Sequence, residues 1–288
     1  MVRLAFRVTL GYQIDSPDAD FLFAFQAAHT RQQRVVSESL RISQPVRPHA
    51  STDPATQTRL LRLKAFQGPL QVHYEATVDV THQSMAPALL AEVPVAQLPD
   101  VVLPYLYPSR YCESDRMHAM AVAQFGTLWQ GHGRVLAIRD WVRQQVTFRS
   151  NTSQSTTSAL DTLASRQGVC RDFAHLMIAL CRAVNIPARF VTGLDYGADP
   201  VLGPPDFHAY VEVWLGHRWW MFDPSGTAIP MGFVRIATGR DAVDAAFATI
   251  FGSVRSDAPI VHTEALPDDA GVLVTPRHRD EALSTAGA

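Results

Sequence analysis

Cysteine is scarce in this sequence of 288 residues, which contains only Cys112, Cys170 and Cys181. An odd and sparse set of this kind is typical of a reducing compartment, and it leaves at least one thiol free within a monomer. The opening segment also lacks the apolar core of a signal peptide, because Arg7 interrupts it. We therefore predict a cytoplasmic location.

Long apolar runs and clusters of like charge are missing as well. No uninterrupted apolar stretch approaches the roughly 20 residues that span a bilayer. The 25 basic and 27 acidic side chains nearly balance, and no run of Lys or Arg forms a basic surface. We therefore expect neither a membrane nor a nucleic acid as a partner.

Metal-binding motifs are also absent from the sequence. Without a C-x-x-C or H-E-x-x-H pair, a zinc site built from Cys170, Cys181 and His208 is not expected. No acidic loop has the spacing of an EF-hand, which argues against a calcium site of that type. We expect the protein to need no metal and no cofactor.

The hydrophobic content of 47% is that of an ordinary globular protein, and the length favours two domains. Residues 1–84 carry β-forming runs with turn residues at 51–54 and 67–69, and they predict an N-terminal β-sandwich domain. Residues 85–111 contain five prolines, which block helix interiors and central strands. This second segment is predicted to be an ordered connector.

Residues 112–265 are predicted to form the second domain. Its apolar spacing indicates four helices, at 117–128, 134–146, 157–165 and 170–184. Strand-like segments follow, and a last helix is predicted near 241–251. The polar segment 266–288 is predicted to be a flexible tail.

Cys170 begins one of these helices. The residues that share its face recur at helical spacing: Cys170, Phe173, Ala174, Met177, Cys181 and Val184. Free backbone N–H groups and the helix dipole at the first turn stabilise a thiolate and can contribute to an oxyanion hole. Cys181 lies three turns further along and is expected to be an inert core thiol. Taken alone, Cys170 could equally be a buried packing residue.

A β-hairpin is predicted downstream of this helix. Two aromatic and β-branched runs, 207–215 and 218–223, flank a short turn that contains glycine. In this register His208 and Asp223 lie on one face as diagonal neighbours, about 7–8 Å apart at the backbone. A helix such as that of Cys170 is a natural cover for one side of these strands.

Together these patterns indicate a cysteine nucleophile at Cys170, with His208 as its base and Asp223 as the carboxylate that orients the imidazole. Separately, His208 could be a structural histidine and Asp223 a turn residue. His175 points about 140° away from Cys170 around the helix and is expected to be structural. Cys112 is the rival nucleophile, although no histidine-bearing strand can be assigned to it.

Five motifs resemble those of the transglutaminase-like superfamily. They are Thr-Ser-Ala-Leu at 157–160, Gly-Val-Cys-Arg-Asp-Phe-Ala-His-Leu at 168–176, Asn-Ile-Pro-Ala-Arg at 185–189, Asp-Phe-His-Ala-Tyr-Val-Glu at 206–212 and Trp-Met-Phe-Asp-Pro at 220–224. The resemblance covers roughly residues 105–255, and a weaker one links the preceding β-region to the N-terminal domain of bacterial members. It implies an α+β fold with a papain-like core of helices on an antiparallel sheet. It also implies a catalytic triad at Cys170, His208 and Asp223.

The resemblance implies attack on amide carbonyls, and bacterial relatives are provisionally described as cysteine proteases. We expect hydrolysis of peptide or amide bonds in a peptide or protein substrate, through a thioester at Cys170. The alternatives are acyl transfer to an amine, as in a transglutaminase, and a catalytically silent peptide-binding module. Crosslinking members use calcium and an upstream tryptophan as oxyanion donor, and neither Trp129 nor Trp141 aligns with that residue.

Overall fold

The computed structural model describes residues 1–197 and 206–286. Two strands of 22 residues each, which pair antiparallel over nearly their whole length, organise the N-terminal half. The first four strands are β1 (Val2–Phe23), β2 (Gln33–Ile42), β3 (His49–Thr52) and β4 (Arg59–Val80). Alternate side chains of β1 are buried from Val2 to Ile14, as expected for a sheet with one face on a core.

The long strands bend back over their own apolar face. The ring centroids of Tyr12 and Phe21 lie 5.2 Å apart, although an extended strand between them would span roughly 30 Å. The bend coincides with a shift in the register of β1 and β4 between Ile14 and Asp18. The two layers of the predicted sandwich are therefore halves of one continuous sheet. The turn predicted at 67–69 is wrong, because Gly68 adopts a φ of +116° and β4 continues through the bend.

Three strands from the C-terminal part of the chain complete this sheet. They are β12 (Ala248–Phe251), β13 (Val254–Ser256) and β14 (Ile260–Leu266), and all three pair with β1. The helix predicted near 241–251 is therefore wrong. The outer edge of β1 offers unpaired backbone N–H and C=O groups, and residues 248–251 bond to that edge instead of to their own helix. The pairing attaches residues 248–266 to the N-terminal sheet, whereas the sequence placed most of them in the second domain.

The second sheet has the strand order β10-β9-β8-β11 and is antiparallel throughout. Its strands are β8 (Ala188–Asp195), β9 (His208–Leu215), β10 (Arg218–Phe222) and β11 (Phe233–Gly239). A short parallel pair, β6 (Thr147–Phe148) and β7 (Gln167–Gly168), lies just before the central helix.

The four predicted helices are present, with ends displaced by at most three residues. They are α1 (Ser114–Phe125), α2 (His132–Gln145), α3 (Ala159–Ser165) and α4 (Cys170–Ala183). Helix α4 is buried from Asp172 to its end, because it packs on one face of the second sheet and the other three helices pack around it. Within the described ranges, none of the helices has the length and apolar character needed to span a bilayer.

The connector and the C-terminal segment cover the opposite face of the second sheet. The connector forms short 3-10 turns at Pro87–Leu89, Val95–Gln97 and Asp100–Leu106. The last strand, β15 (Ala282–Ser284), pairs with β5 (Gln83–Met85), and residues 282–286 are buried. The prediction of a flexible tail is therefore wrong for these residues. Leu283 packs in a cluster with Tyr210 and Phe233, which gives the end of the chain an apolar surface to bind.

Candidate active site

Cys170 is the first residue of α4, so its backbone N–H has no partner within the helix. Asp172 fixes the backbone that leads into this residue. Its buried carboxylate accepts hydrogen bonds from the Val169 N–H at 2.9 Å and from the Ser153 hydroxyl at 2.8 Å. A Cβ at Gly168 would lie 2.7 Å from the Asp172 side chain. Glycine is therefore required at position 168 for the helix to begin at the cysteine.

The three thiols differ sharply in exposure. Cys170 is half-buried, whereas Cys112 and Cys181 are completely buried. Burial raises the pKa of Cys112 to about 12 and also raises the pKa of Cys181. The hypothesis that Cys112 is a rival nucleophile is therefore wrong, because a substrate cannot reach it and its thiolate is disfavoured. The expectation that Cys181 is a core thiol is confirmed.

The predicted hairpin is confirmed, including its register. Leu215 pairs with Arg218 across a turn whose two residues both have positive φ, which matches the twist of the flanking strands. His208 is the first residue of β9, and Asp223 follows the last residue of β10. Both side chains therefore lie at the same end of the hairpin, near Cys170, the first residue of α4.

The imidazole of His208 contacts both other members of the predicted set. Its Nε2 lies 3.5 Å from Oδ1 of Asp223 and makes no hydrogen bond within the described residues. The Cys170 side chain lies close enough to the same ring to raise its pKa. Phe233 stacks on the ring at 5.3 Å. Burial disfavours the charged imidazole, but Asp223 and Cys170 outweigh it and raise the pKa of His208 well above its usual value.

Asp223 is held by several donors. Its Oδ1 accepts the backbone N–H and hydroxyl of Ser225 at 2.9 and 2.6 Å, and its Oδ2 accepts the Ala228 N–H at 3.1 Å. The Arg143 guanidinium donates to the Asp223 backbone carbonyl at 2.6 Å. Burial opposes ionisation, but the charge of His208 and these hydrogen bonds lower the pKa of Asp223 to about 2. Asp223 is therefore an ionised carboxylate near neutral pH.

Sequence reasoning missed a second carboxylate at this site. Asp195, the last residue of β8, places Oδ2 3.3 Å from Nδ1 of His208 and is 5% exposed. Burial raises its pKa above the usual value. The available signal was an aspartate at the end of a mostly apolar strand. Its partner could not be identified without the pairing of Gly193 with His208 across β8 and β9.

The other residues considered from the sequence lie apart from this contact. The expectation that His175 is structural is confirmed: it is fully buried, stacks on Tyr111 and accepts the Ala242 N–H at 3.1 Å. Trp129 is 93% exposed, and Trp141 packs edge-on against Phe125. Within residues 1–197 and 206–286, no three His, Cys, Asp or Glu side chains are grouped as a metal site would require.

Two family models match separate parts of the chain. The transglutaminase-like superfamily matches residues 119–224, which contain the helix of Cys170 and the hairpin of His208. The N-terminal domain of bacterial transglutaminase matches residues 3–101, which contain the long bent strands. The first match contains three of the four strands of the second sheet, and the second contains nearly all of β1 to β4 of the first sheet.

Similar proteins support the same assignment. A crystal structure from Cytophaga hutchinsonii, provisionally described as a cysteine protease, is 38% identical with a TM-score of 0.90. The match covers 98% of this chain and 97% of that one. An uncharacterized protein of Mycobacterium leprae is 35% identical over 117 residues, and one of Mycobacterium bovis is 31% identical over 109 residues. These matches cover 39% and 34% of this chain, but only 42% and 35% of the mycobacterial proteins. The chain belongs to the transglutaminase-like superfamily.

Proposed function

We propose that the protein is a cysteine-nucleophile hydrolase of peptide or amide bonds, with Cys170, His208 and Asp223 as its catalytic triad. The observation that carries the proposal is the contact of one imidazole, that of His208, with both Cys170 and Asp223. The provisional description of the Cytophaga hutchinsonii protein as a cysteine protease agrees with it.

His208 accepts the thiol proton of Cys170 as general base, and its raised pKa favours the imidazolium that results. The thiolate sulfur attacks the carbonyl carbon of the substrate, and the imidazolium gives its proton to the departing amine as the C–N bond breaks. The product of this step is a thioester at Cys170. Water then attacks the thioester, His208 accepts a proton from it, and cleavage of the C–S bond releases the acid and restores the thiolate.

Each part of the local structure has a role in these steps. The N–H of Cys170 at the start of α4 is available to the oxyanion that forms on the substrate carbonyl. Asp223 keeps its charge near neutral pH and orients the imidazole through Nε2. Phe233 covers one face of the ring and limits the access of water to it.

The proposal is tested by screening peptide, isopeptide and amide donors, with and without millimolar primary amine, in the presence of a chelator and again with added calcium. We expect release of the free acid to exceed amine incorporation, without any metal. We expect Cys170→Ala to lower the rate by at least about 10⁴-fold. The matched control is Cys112→Ala, which removes a buried thiol of the same chain and should leave the rate of folded protein nearly unchanged.

Three outcomes would count against this assignment. Hydrolysis that survives in Cys170→Ala would show that Cys170 is not the nucleophile. Amine incorporation as the dominant, calcium-dependent product would make the protein a transglutaminase. Absence of thiol reactivity at Cys170 in the intact protein would favour the third hypothesis, a silent peptide-binding module.

A further inference from the structure

Three proton acceptors surround the two nitrogens of the His208 imidazole. Asp223 faces Nε2 at 3.5 Å, and Asp195 faces Nδ1 at 3.3 Å. The Cys170 side chain lies near the same ring. An imidazolium has two N–H groups. Among the described residues the group at Nε2 makes no hydrogen bond, whereas an N–H at Nδ1 faces the Asp195 carboxylate.

The two carboxylates differ in what else holds them. Asp223 has three further donors, from Ser225 and Ala228, so its charge is compensated even when His208 is neutral. For Asp195, the charged group in contact with the carboxylate is His208 itself. Because Asp195 is 5% exposed, its negative charge acts on the imidazole with little screening by solvent.

Given the hydrolase proposed above, we propose that Asp195 is a positioning residue that holds the Nδ1 proton of His208 and sets the pH range of the Cys170–His208 ion pair. In the resting site the carboxylate of Asp195 faces this proton. When the amine departs, the proton leaves Nδ1, and Asp195 keeps that nitrogen directed at the reacting atoms. When water attacks, the new proton returns to Nδ1 beside the same carboxylate.

The direction of the effect follows from the charges that face the ring. Among the described residues these are Asp195 on β8, Asp223 after β10 and Cys170 on α4. The Arg143 guanidinium of α2 donates to the backbone carbonyl of Asp223. The apolar ring of Phe233, on β11, stacks on the imidazole of His208. Replacing an anionic Asp195 by a neutral residue makes loss of a proton easier for both the thiol and the imidazolium. Both pKa values should therefore fall.

The test is the substitution Asp195→Asn, which keeps the shape of the side chain and removes its charge. We would measure alkylation of Cys170 by iodoacetamide across pH, and titrate His208 by NMR in protein labelled at histidine. We expect the midpoints of both curves to move to lower pH by about one unit. Asp195→Glu restores the charge and should return both midpoints toward those of the native protein.

The matched control is Asp206→Asn. Asp206 is an exposed carboxylate two residues from His208 that accepts the Phe207 N–H, so its loss should move neither midpoint. Cys112 and Cys181 are completely buried, and their resistance to alkylation reports that each variant is folded. If Asp195→Asn does not fold, Asp195→Ser gives the same charge change with a smaller side chain.

Unchanged midpoints in a folded, neutral variant at position 195 would overturn the proposal, and so would a shift to higher pH. A uniformly lower rate of Cys170 alkylation with unmoved midpoints would assign Asp195 a structural role only, which also overturns the proposal. None of these readouts requires a substrate. Failure to find hydrolysis therefore leaves the test of Asp195 intact, and failure of the Asp195 test leaves the proposed reaction standing.

Discussion

Strand β9 carries two buried charged clusters, one around His208 at its start and one around Glu212 in its middle. Glu212 is completely buried and accepts from Arg189 of β8 at 2.8 Å and from Arg235 of β11. His208 is nearly as buried but meets carboxylates and a thiol instead. Both clusters place one side chain of β9 between ionisable partners from neighbouring elements of the fold.

The difference between the clusters lies in what their members can exchange. A guanidinium does not release its proton in proteins. Burial disfavours the charge of Glu212, but Arg235 and Arg189 outweigh it and lower the pKa of this carboxyl. The Glu212 cluster is therefore held in one charge state. The groups around His208 can all gain or lose a proton, so equal burial produces a site suited to proton transfer.

The largest expected contrast comes from Asp223→Asn. This change leaves His208 without the carboxylate that orients it, and we expect the rate of hydrolysis to fall by about 10²–10⁴-fold. The fold should persist, because the amide oxygen can still accept some of the hydrogen bonds from Ser225 and Ala228. Steady-state kinetics and circular dichroism provide the check. A rate within a few-fold of the native one would remove Asp223 from the triad.

Glu212→Gln is expected to lower the stability of the fold and to leave the titration at Cys170 unchanged. The substitution leaves two guanidiniums beside a neutral amide in the interior, and we expect the free energy of unfolding to fall by about 3–5 kcal/mol. The pH dependence of Cys170 alkylation should not change in the molecules that remain folded. Urea unfolding and alkylation measure the two quantities separately. A clear displacement of the alkylation curve would show that the two clusters of β9 are coupled.

The smallest effect concerns stability in acid. Because the pKa of Asp223 is lowered to about 2 in the folded protein, its contribution is complete above about pH 5 and is lost as the pH falls toward 2. From pH 5 to pH 3 the native protein should lose about 1 kcal/mol through this group. The variant Asp223→Asn should not show this loss in the free energy of unfolding. Urea unfolding of both proteins at the two pH values measures the difference. Equal losses in both proteins would contradict the lowered pKa.

Where local periodicity carried the information, sequence reasoning agreed closely with the structure. The spacing of apolar residues located α4 to within one residue, and the two-residue turn set the register that pairs Leu215 with Arg218. Both features depend on contacts between residues that are close in the chain. These local features therefore suffice to place Cys170 at the start of a helix and to place His208 and Asp223 at one end of a hairpin.

Where contacts join distant segments, the same reasoning failed. Residues 248–251 form a strand because the edge of β1, more than 200 residues earlier in the chain, is open to them. Residues 282–286 are buried because the second sheet needs a cover on the face away from α4. The composition of a polar or alanine-rich segment does not reveal that a distant strand edge or sheet face is free to bind it.

By itself, the sequence determined the helix that begins at Cys170, the hairpin and the family, since each is encoded in local spacing and in short motifs. Only the tertiary structure decided that Cys112 is sealed in the core and that Asp195 faces Nδ1 of His208. Burial and the pairing of β8 with β9 set these properties, and both arise from residues far apart in the chain. The protonation state of a site depends on all the charges around it, so it becomes defined only when the chain has folded.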